Sequence, residues 1–277
     1  MSALHAIHAI VTRPQPDADH WVAQLGQHGI AASALPLIDI GPATHPTDRE
    51  RVADARTHWQ RYGAIMLVSG NAARFFFDKN LALALNHRAA AAIKTRVWSP
   101  GPGTAKAALQ QGITAALIDQ PATNATQLDS ESLWAQVAHQ VPAMAQAGQR
   151  VLIVRGAEQA QPTAPGGTGR EWLASQLRAA GVGVDYVAVY ERCAPVWAPA
   201  FTVQASQYLH DGSIWLLSSS EAVMHLRNKL PIHAAKNTRA LATHNRIATM
   251  ALQAGFATVK QCRPTVADVV ASLESFL

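Results

Sequence analysis

Leu-Val-Ser-Gly-Asn-Ala-Ala at residues 67–73 is answered later in the chain by Leu-Ser-Ser-Ser-Glu-Ala-Val at residues 217–223, which sets Ser69 over Ser219. Each stretch closes a short apolar run and opens a helical pattern, so each reads as strand, turn and helix start. Two more stretches repeat in the same order. RVWSPGPGTAKAALQQGI (96–113) aligns with RALATHNRIATMALQAGF (239–256), pairing Arg96 with Arg239, Leu109 with Leu252 and Gly112 with Gly255. IVTRP…WVAQLGQHGI at the start resembles VLIVRG…EWLASQLRAAGV (151–182), pairing Leu25 with Leu177 and Gly29 with Gly181. One such match carries little, because strand–loop–helix–Gly units recur widely. Three in one order point to two related lobes.

Working outward, apolar runs alternate with helical patterns along the whole chain, which is the mark of a parallel α/β architecture. Strands are expected at 6–12, 34–40, 64–68, 96–99, 115–118, 151–154, 186–189, 214–217, 240–243 and 258–261. The first helix, from about 17 to 28, has Asp17 and Asp19 in its first turn and Gly29 at its C′ position. The order A, B, C, A′, B′, C′ leaves two partitions open. The lobes are sequential, or the first unit joins the last two while the middle three form the other lobe. In the second case the chain crosses at 35–42 and again at 187–195, two apolar, extended stretches that end in proline. Function is expected in the cleft between the lobes.

Composition narrows the partners. The 277 residues are 49% hydrophobic and 15% charged, which suits well-buried domains and argues against disorder. No apolar run reaches the 18 residues of a membrane span, and the start lacks the charged n-region and cleavage site of a signal peptide. Cys193 and Cys262 show no metal or redox spacing, so a reducing cytoplasm is the simpler expectation, with one disulfide left open by counting. Lys and Arg number 23 against 18 Asp and Glu, a net charge of +5 that favours anionic partners. The cations are scattered singly, with no basic run and no aromatic-interleaved patch, so a small polyanion fits better than nucleic acid.

In parallel α/β sheets ligands bind at the carboxyl ends of the strands, where helix N-termini point free N–H groups. The residues expected there are Thr12 and Arg13; Ser69, Gly70 and Asn71; Ser99-Pro-Gly101-Pro-Gly103-Thr104; Arg155 and Gly156; Ser218, Ser219 and Ser220; and Thr243, His244, Asn245 and Arg246. Hydroxyls, glycines and arginines so placed accept carboxylates or phosphates, although Ser, Thr and Asn also cap helices at such positions. Gly101 and Gly103 let the backbone approach a ligand. The GPGT turn lacks the G-K-[ST] ending of a phosphate loop, and no G-x-G-x-x-G follows the first strand. There is no H-E-x-x-H, no clustered Cys/His set and no G-x-S-x-G, so neither metal nor nucleophile chemistry is expected. Tyr190, in VAVYER at the head of the second crossing, places a phenol where it can donate a proton or cover a hydrophobic hinge.

Taken together, IVTRP with L-x-x-x-G-I, PLIDI, SPGPGTAKA with its later Gly-Ile, VLIVRG…GR-x-W-L, VYER, LSSSEAV and ATHNRIA with its Gly-Phe resemble the uroporphyrinogen-III synthase family over nearly the whole chain. The resemblance implies an α/β fold of two related lobes with parallel sheets flanked by helices, joined by a two-stranded crossing. It favours the double crossing, with 1–38 and 193–277 as one lobe and 43–187 as the inserted other. It implies closure of hydroxymethylbilane, a linear tetrapyrrole with eight carboxylates, with loss of water and inversion of ring D, without cofactor or metal. It assigns proton donation to Tyr190 and carboxylate binding to Ser69, Thr104, Ser219 and Thr243, with Arg13, Arg155 and Arg246 as weaker electrostatic partners. A cytoplasmic monomer in transient contact with the bilane-forming deaminase, and with neither nucleic acid nor membrane, is the matching expectation.

One departure from the family pattern stands out. AEQAQPTAPGGT (157–168) is longer and richer in Pro and Gly than the usual link before Gly169-Arg170, so a mobile loop is expected there and direct use of Arg170 is in doubt. Two rivals remain. An S-adenosylmethionine-dependent tetrapyrrole methyltransferase would use the GPG turn, but the duplication and the lack of an acidic residue ending the next strand weigh against it. A non-catalytic bilobal small-anion binding module would share the fold, but no DNA-binding or signalling segment is appended.

Overall fold

The computed structural model describes residues 7–87, 95–122, 130–157 and 169–276. It divides into two compact units, Met1–Ile40 with Arg192–Leu277, and Gly41–Glu191. The strands in chain order are β1 (His8–Val11), β2 (Ala31–Ala34), β3 (Asp39–Pro42), β4 (Tyr62–Leu67), β5 (Arg96–Trp98), β6 (Ile118–Asp119), β7 (Arg150–Gly156), β8 (Gly183–Cys193), β9 (Ile214–Leu217), β10 (Arg239–Ala242) and β11 (Thr258–Gln261). The helices are α1 (Asp17–Gln27), α2 (Pro46–Thr57), α3 (Gly70–Phe76), α4 (Lys79–His87), α5 (Pro102–Gln110), α6 (Ser130–Val137), α7 (Val141–Gln146), α8 (Gly169–Ala179), α9 (Pro199–His210), α10 (Ser220–Lys229), α11 (Asn245–Ala254) and α12 (Val266–Glu274).

The five-stranded sheet runs β11-β10-β9-β1-β2, and the six-stranded sheet runs β6-β5-β4-β7-β8 with β3 added outside β8. The two orders coincide once β9 is laid on β4 and β1 on β7. The sequence repeat is therefore a repeat of sheet topology, entered at a different strand. Every pairing in the first sheet is parallel, as are β8–β7, β7–β4, β4–β5 and β5–β6.

Central strands bury both faces, so they read as unbroken apolar runs. All of β4 and all of β9 are buried. Alternation along β9 sends Trp215 and Leu217 into one core layer with Ile10, Leu226 and Ala248. Ile214 and Leu216 enter the other, with Val11, Leu25 and Leu273. In the six-stranded sheet Met66, Trp98 and Ile153 pack with Leu173 and Leu177.

The repeated Gly-apolar endings are helix stops. Gly29, Gly112, Gly181 and Gly255 all have positive φ, a region that glycine enters without the Cβ penalty. The next residue in each case, Ile30, Ile113, Val182 or Phe256, returns its N–H to the carbonyl five residues back and buries its side chain. That is the hydrogen-bond pattern of a Schellman stop.

Three expected strands differ from what forms. The run 34–40 is not one strand: β2 ends at Ala34, and Pro36 removes a ladder donor. Leu35, Leu37 and Ile38 are apolar because they are buried in a coil segment, and Leu35 and Leu37 donate to the Val11 and Thr12 carbonyls. At 115–118 a 3-10 turn precedes a two-residue strand. The strand expected at 186–189 extends over eleven residues as β8. The loop 157–168, Ala157 apart, lies outside the described residues, as does residue 6 of the first expected strand.

Candidate functional site

In the unit Gly41–Glu191 the carboxyl ends of β4, β5, β7 and β8 carry most of the expected residues. Ser69 follows β4 and caps α3, its Oγ accepting the Ala72 N–H at 3.2 Å. Gly70 opens α3, and a Cβ there would stand 3.3 Å from that of Ala107, so this glycine lets α3 approach α5. After β5, buried Ser99 donates to the Gly101 carbonyl at 2.7 Å, and Gly101 caps α5 in an extended conformation. Thr104 is buried in the first turn of α5, 9% exposed. Gly103 faces open space, where a Cβ would meet nothing within 4 Å.

At the end of β7 the Arg155 guanidinium lies over the Tyr186 ring, 5.2 Å from its centroid. The β7–β8 register slips beyond it: Arg155 pairs with Ala188 but Gly156 pairs with Tyr190, leaving Val189 as the extra residue of a bulge. A bulge of this kind re-aims the side chain that follows. Tyr190 is only 4% exposed, and its hydroxyl shares a 3.1 Å hydrogen bond with that of Ser69. The structure thus brings Tyr190, Ser69 and Gly156 together. It also adds Phe75 of α3, whose ring stacks on Tyr190 at 6.2 Å and 30°. Phe75 was not singled out by the sequence, where its signal is a residue in a Phe-Phe-Phe run just past the Ser69 turn.

In the other unit the expected residues are more often engaged already. Thr12 is 1% exposed and donates to the Leu216 carbonyl at 2.6 Å, so its hydroxyl ties β1 to β9. Arg13 meets Asp17 at 3.5 Å and lies over the Trp21 ring at 4.6 Å. Ser219 caps α10 through the Glu221 N–H at 3.2 Å. The Ser220 Oγ beside it is buried with no hydrogen-bond partner among the described residues. The Thr243 N–H donates to the Leu217 carbonyl, which prolongs the β9–β10 ladder and leaves the side chain half-buried. His244 caps α11 by accepting the Arg246 N–H at 3.2 Å, and Arg246 is exposed. Arg170 lies in α8.

Apart from that of Cys262, which follows β11, the resolved shifts in proton affinity lie away from these strand ends. At the starts of β7 and β8, Arg150 grips Asp185 through Nε at 2.8 Å and Nη2 at 2.6 Å. This hydrogen bonding holds the Asp185 carboxyl below its ordinary value. Burial raises the Cys262 thiol, and neither Cys262 nor Cys193 is in a disulfide. Among the described residues no group of three or more His, Cys, Asp or Glu is gathered to hold a metal ion, and no helix is long and apolar enough to cross a membrane.

The family model described as uroporphyrinogen-III synthase HemD matches residues 19–271. The solved uroporphyrinogen-III synthetase of Helicobacter pylori is similar over 98% of this chain and 100% of its own, at 12% identity and a TM-score of 0.55. A mutant uroporphyrinogen III synthase of Thermus thermophilus covers 97% of this chain and 98% of its own, at 15% identity and a TM-score of 0.45. The Helicobacter likeness is one of fold.

Proposed function

The chain belongs to the uroporphyrinogen-III synthase family, whose lyase reaction closes hydroxymethylbilane to uroporphyrinogen III, and we propose that it drives this reaction from the Tyr190–Ser69 pair. The observation that carries the reading is that hydrogen bond: a phenol and a hydroxyl meet at the carboxyl ends of β4 and β7, the end of an α/β sheet at which ligands bind. Tyr190 is nearly buried and Ser69 half-exposed, so Ser69 is the outward member of the pair and Tyr190 the acid behind it.

The chemistry balances without a cofactor. The pair gives a proton to the terminal hydroxyl of the bilane, the C–O bond breaks and water leaves, and the pyrrole nitrogen supplies electrons to form a cationic azafulvene that keeps its N–H. The substituted carbon of ring D attacks the freed methylene to give a spiro intermediate. The bond from that carbon to the ring C methylene then breaks, and ring D closes through its other α-carbon. The proton lost from that carbon returns to the phenolate. General acid assistance of this kind is worth roughly 10²–10⁴-fold. Holding the bilane folded against uninverted closure is the larger demand, and positioning supplies up to ~7–11 kcal/mol in well-oriented systems.

Thr104 and Arg155 in one unit, and Ser219, Ser220, Thr243 and Arg246 in the other, are the proposed partners of the substrate carboxylates, with Arg13 as a weaker electrostatic partner. The Gly70 and Gly103 turns would offer backbone N–H groups, whereas the Gly101 N–H already donates to Ser99 Oγ at 3.4 Å. The net charge of +5 suits an octacarboxylate. Thr12 retains a place in this set only through its backbone. We place the enzyme in the cytoplasm as a monomer that meets the bilane-forming deaminase transiently.

The test is a coupled assay from porphobilinogen and a bilane-forming deaminase, with isomers separated after oxidation. Type III product is expected. Type I alone in the presence of this protein would overturn the assignment.

A further inference from the structure

We propose that Gly156 is a positioning residue for Tyr190: the absence of a side chain at 156 makes the seat in which the phenol ring lies. The inference rests on the reading of Tyr190 as the proton donor. A Cβ at Gly156 would fall 2.7 Å from Cε2 of Tyr190, 2.8 Å from Cζ and 3.2 Å from the hydroxyl oxygen. Carbon atoms in contact stand about 3.5–4.0 Å apart, so an alanine at 156 and this ring position exclude each other. Backbone geometry is not the reason for the glycine, since Gly156 is not among the glycines with positive φ. The three atoms nearest to that Cβ all belong to the Tyr190 side chain.

The neighbours leave the ring little choice. The Ala157 N–H donates to the Tyr190 carbonyl at 2.6 Å, and the bulge fixes Tyr190 opposite Gly156, so the backbone on both strands is pinned. Phe75 stacks on the ring, and α3 is itself anchored by Arg56, which donates from Nε to the Phe76 carbonyl and from Nη2 to the Phe75 carbonyl, each at 2.8 Å. A ring pushed off Gly156 must give up its stack on Phe75, its 3.1 Å bond to Ser69, or both. Either loss moves the phenol away from the place where the departing hydroxyl has to be met.

The test is a double-mutant cycle on the full chain, read as kcat and KM for hydroxymethylbilane with thermal midpoints recorded alongside. Gly156→Ala is expected to lower kcat by roughly 10- to 100-fold with KM little changed, as a misplacement of about 1 Å does. In a Tyr190→Phe background, which has no phenol proton to misplace, the same substitution should lower kcat no further. Equal losses in both backgrounds, or no loss in either, would overturn the inference. Wild-type turnover of Tyr190→Phe alone would instead overturn the proton-donor reading, and the inference with it. If Gly156→Ala is too unstable to assay, Gly156→Ala/Tyr190→Leu should regain the midpoint of Tyr190→Leu, because the ring that clashes is gone. Failure to regain it would place the demand for glycine elsewhere and overturn the inference.

Discussion

Ser69 and Tyr190, 121 residues apart in the chain, join their hydroxyls at 3.1 Å while the same Ser69 oxygen accepts the Ala72 amide. One atom therefore closes the start of α3 and fixes the phenol. Its repeat counterpart Ser219 caps α10 in the same way, but among the described residues its side chain makes only that bond.

The pair of serines gives a controlled comparison. Removing either hydroxyl removes one helix cap, so Ser69→Ala and Ser219→Ala should each destabilise by about 0.5–2 kcal/mol. Only Ser69→Ala should lower kcat, because only it releases Tyr190, whereas Ser219→Ala should act on KM. Urea midpoints and steady-state kinetics on both variants check this, and similar kinetic profiles for the two would contradict it.

Thr12 separates a sheet role from a substrate role. Its buried hydroxyl donates to the Leu216 carbonyl. Thr12→Val keeps the shape and loses that bond, so stability should fall by about 1 kcal/mol while kcat and KM stay near wild type. A raised KM with unchanged stability would return the hydroxyl to the substrate.

The repeat explains why much of the fold was legible. Strand–turn–helix–Gly units carry local signals, namely a buried apolar run, a hydroxyl cap and a Gly-apolar stop, and each is set within a dozen residues. Ser69, Ser219, Gly29 and Gly181 all sit where those signals place them. The segment 35–38 reads as a strand because burial in a coil leaves the same apolar run as burial in a strand, and Pro36 is the residue in it that cannot donate to a ladder. The Tyr190 environment was not legible for another reason. Its bulge depends on register between β7 and β8, and its stack on Phe75 depends on a residue more than a hundred positions away. Neither leaves a periodic trace in sequence.

Asp185 predicts the acid limb of stability. Its hydrogen bonds from Arg150 depress its proton affinity in the folded state relative to the ordinary value of 3.8. The stabilisation is therefore present above about pH 4 and is lost as pH falls through the lower folded value. Asp185→Asn should destabilise at neutral pH by no more than about 1 kcal/mol, since the pair is partly exposed, and should flatten the loss seen on acidification. Denaturant midpoints at pH 7 and pH 3 for both proteins decide it.

His8 predicts a second dependence, nearer neutrality. Its ring stands 3.0 Å from Ser213 Oγ and 2.9 Å from Ser33 Oγ, and packs edge-on against Tyr208. Burial lowers its proton affinity below the ordinary 6.5, with the charge of Asp211 opposing. A folded value below the unfolded one means that the unfolded chain takes up the proton first as pH falls. Stability contributed by neutral His8 is therefore complete above 6.5 and declines as pH drops from there to the folded value, below which it stays lost. The wild-type thermal midpoint should fall between pH 7.5 and pH 5.5. His8→Gln, which can hydrogen-bond but does not titrate, should start lower and fall less over the same interval. Parallel declines in the two proteins would place the titrating group elsewhere.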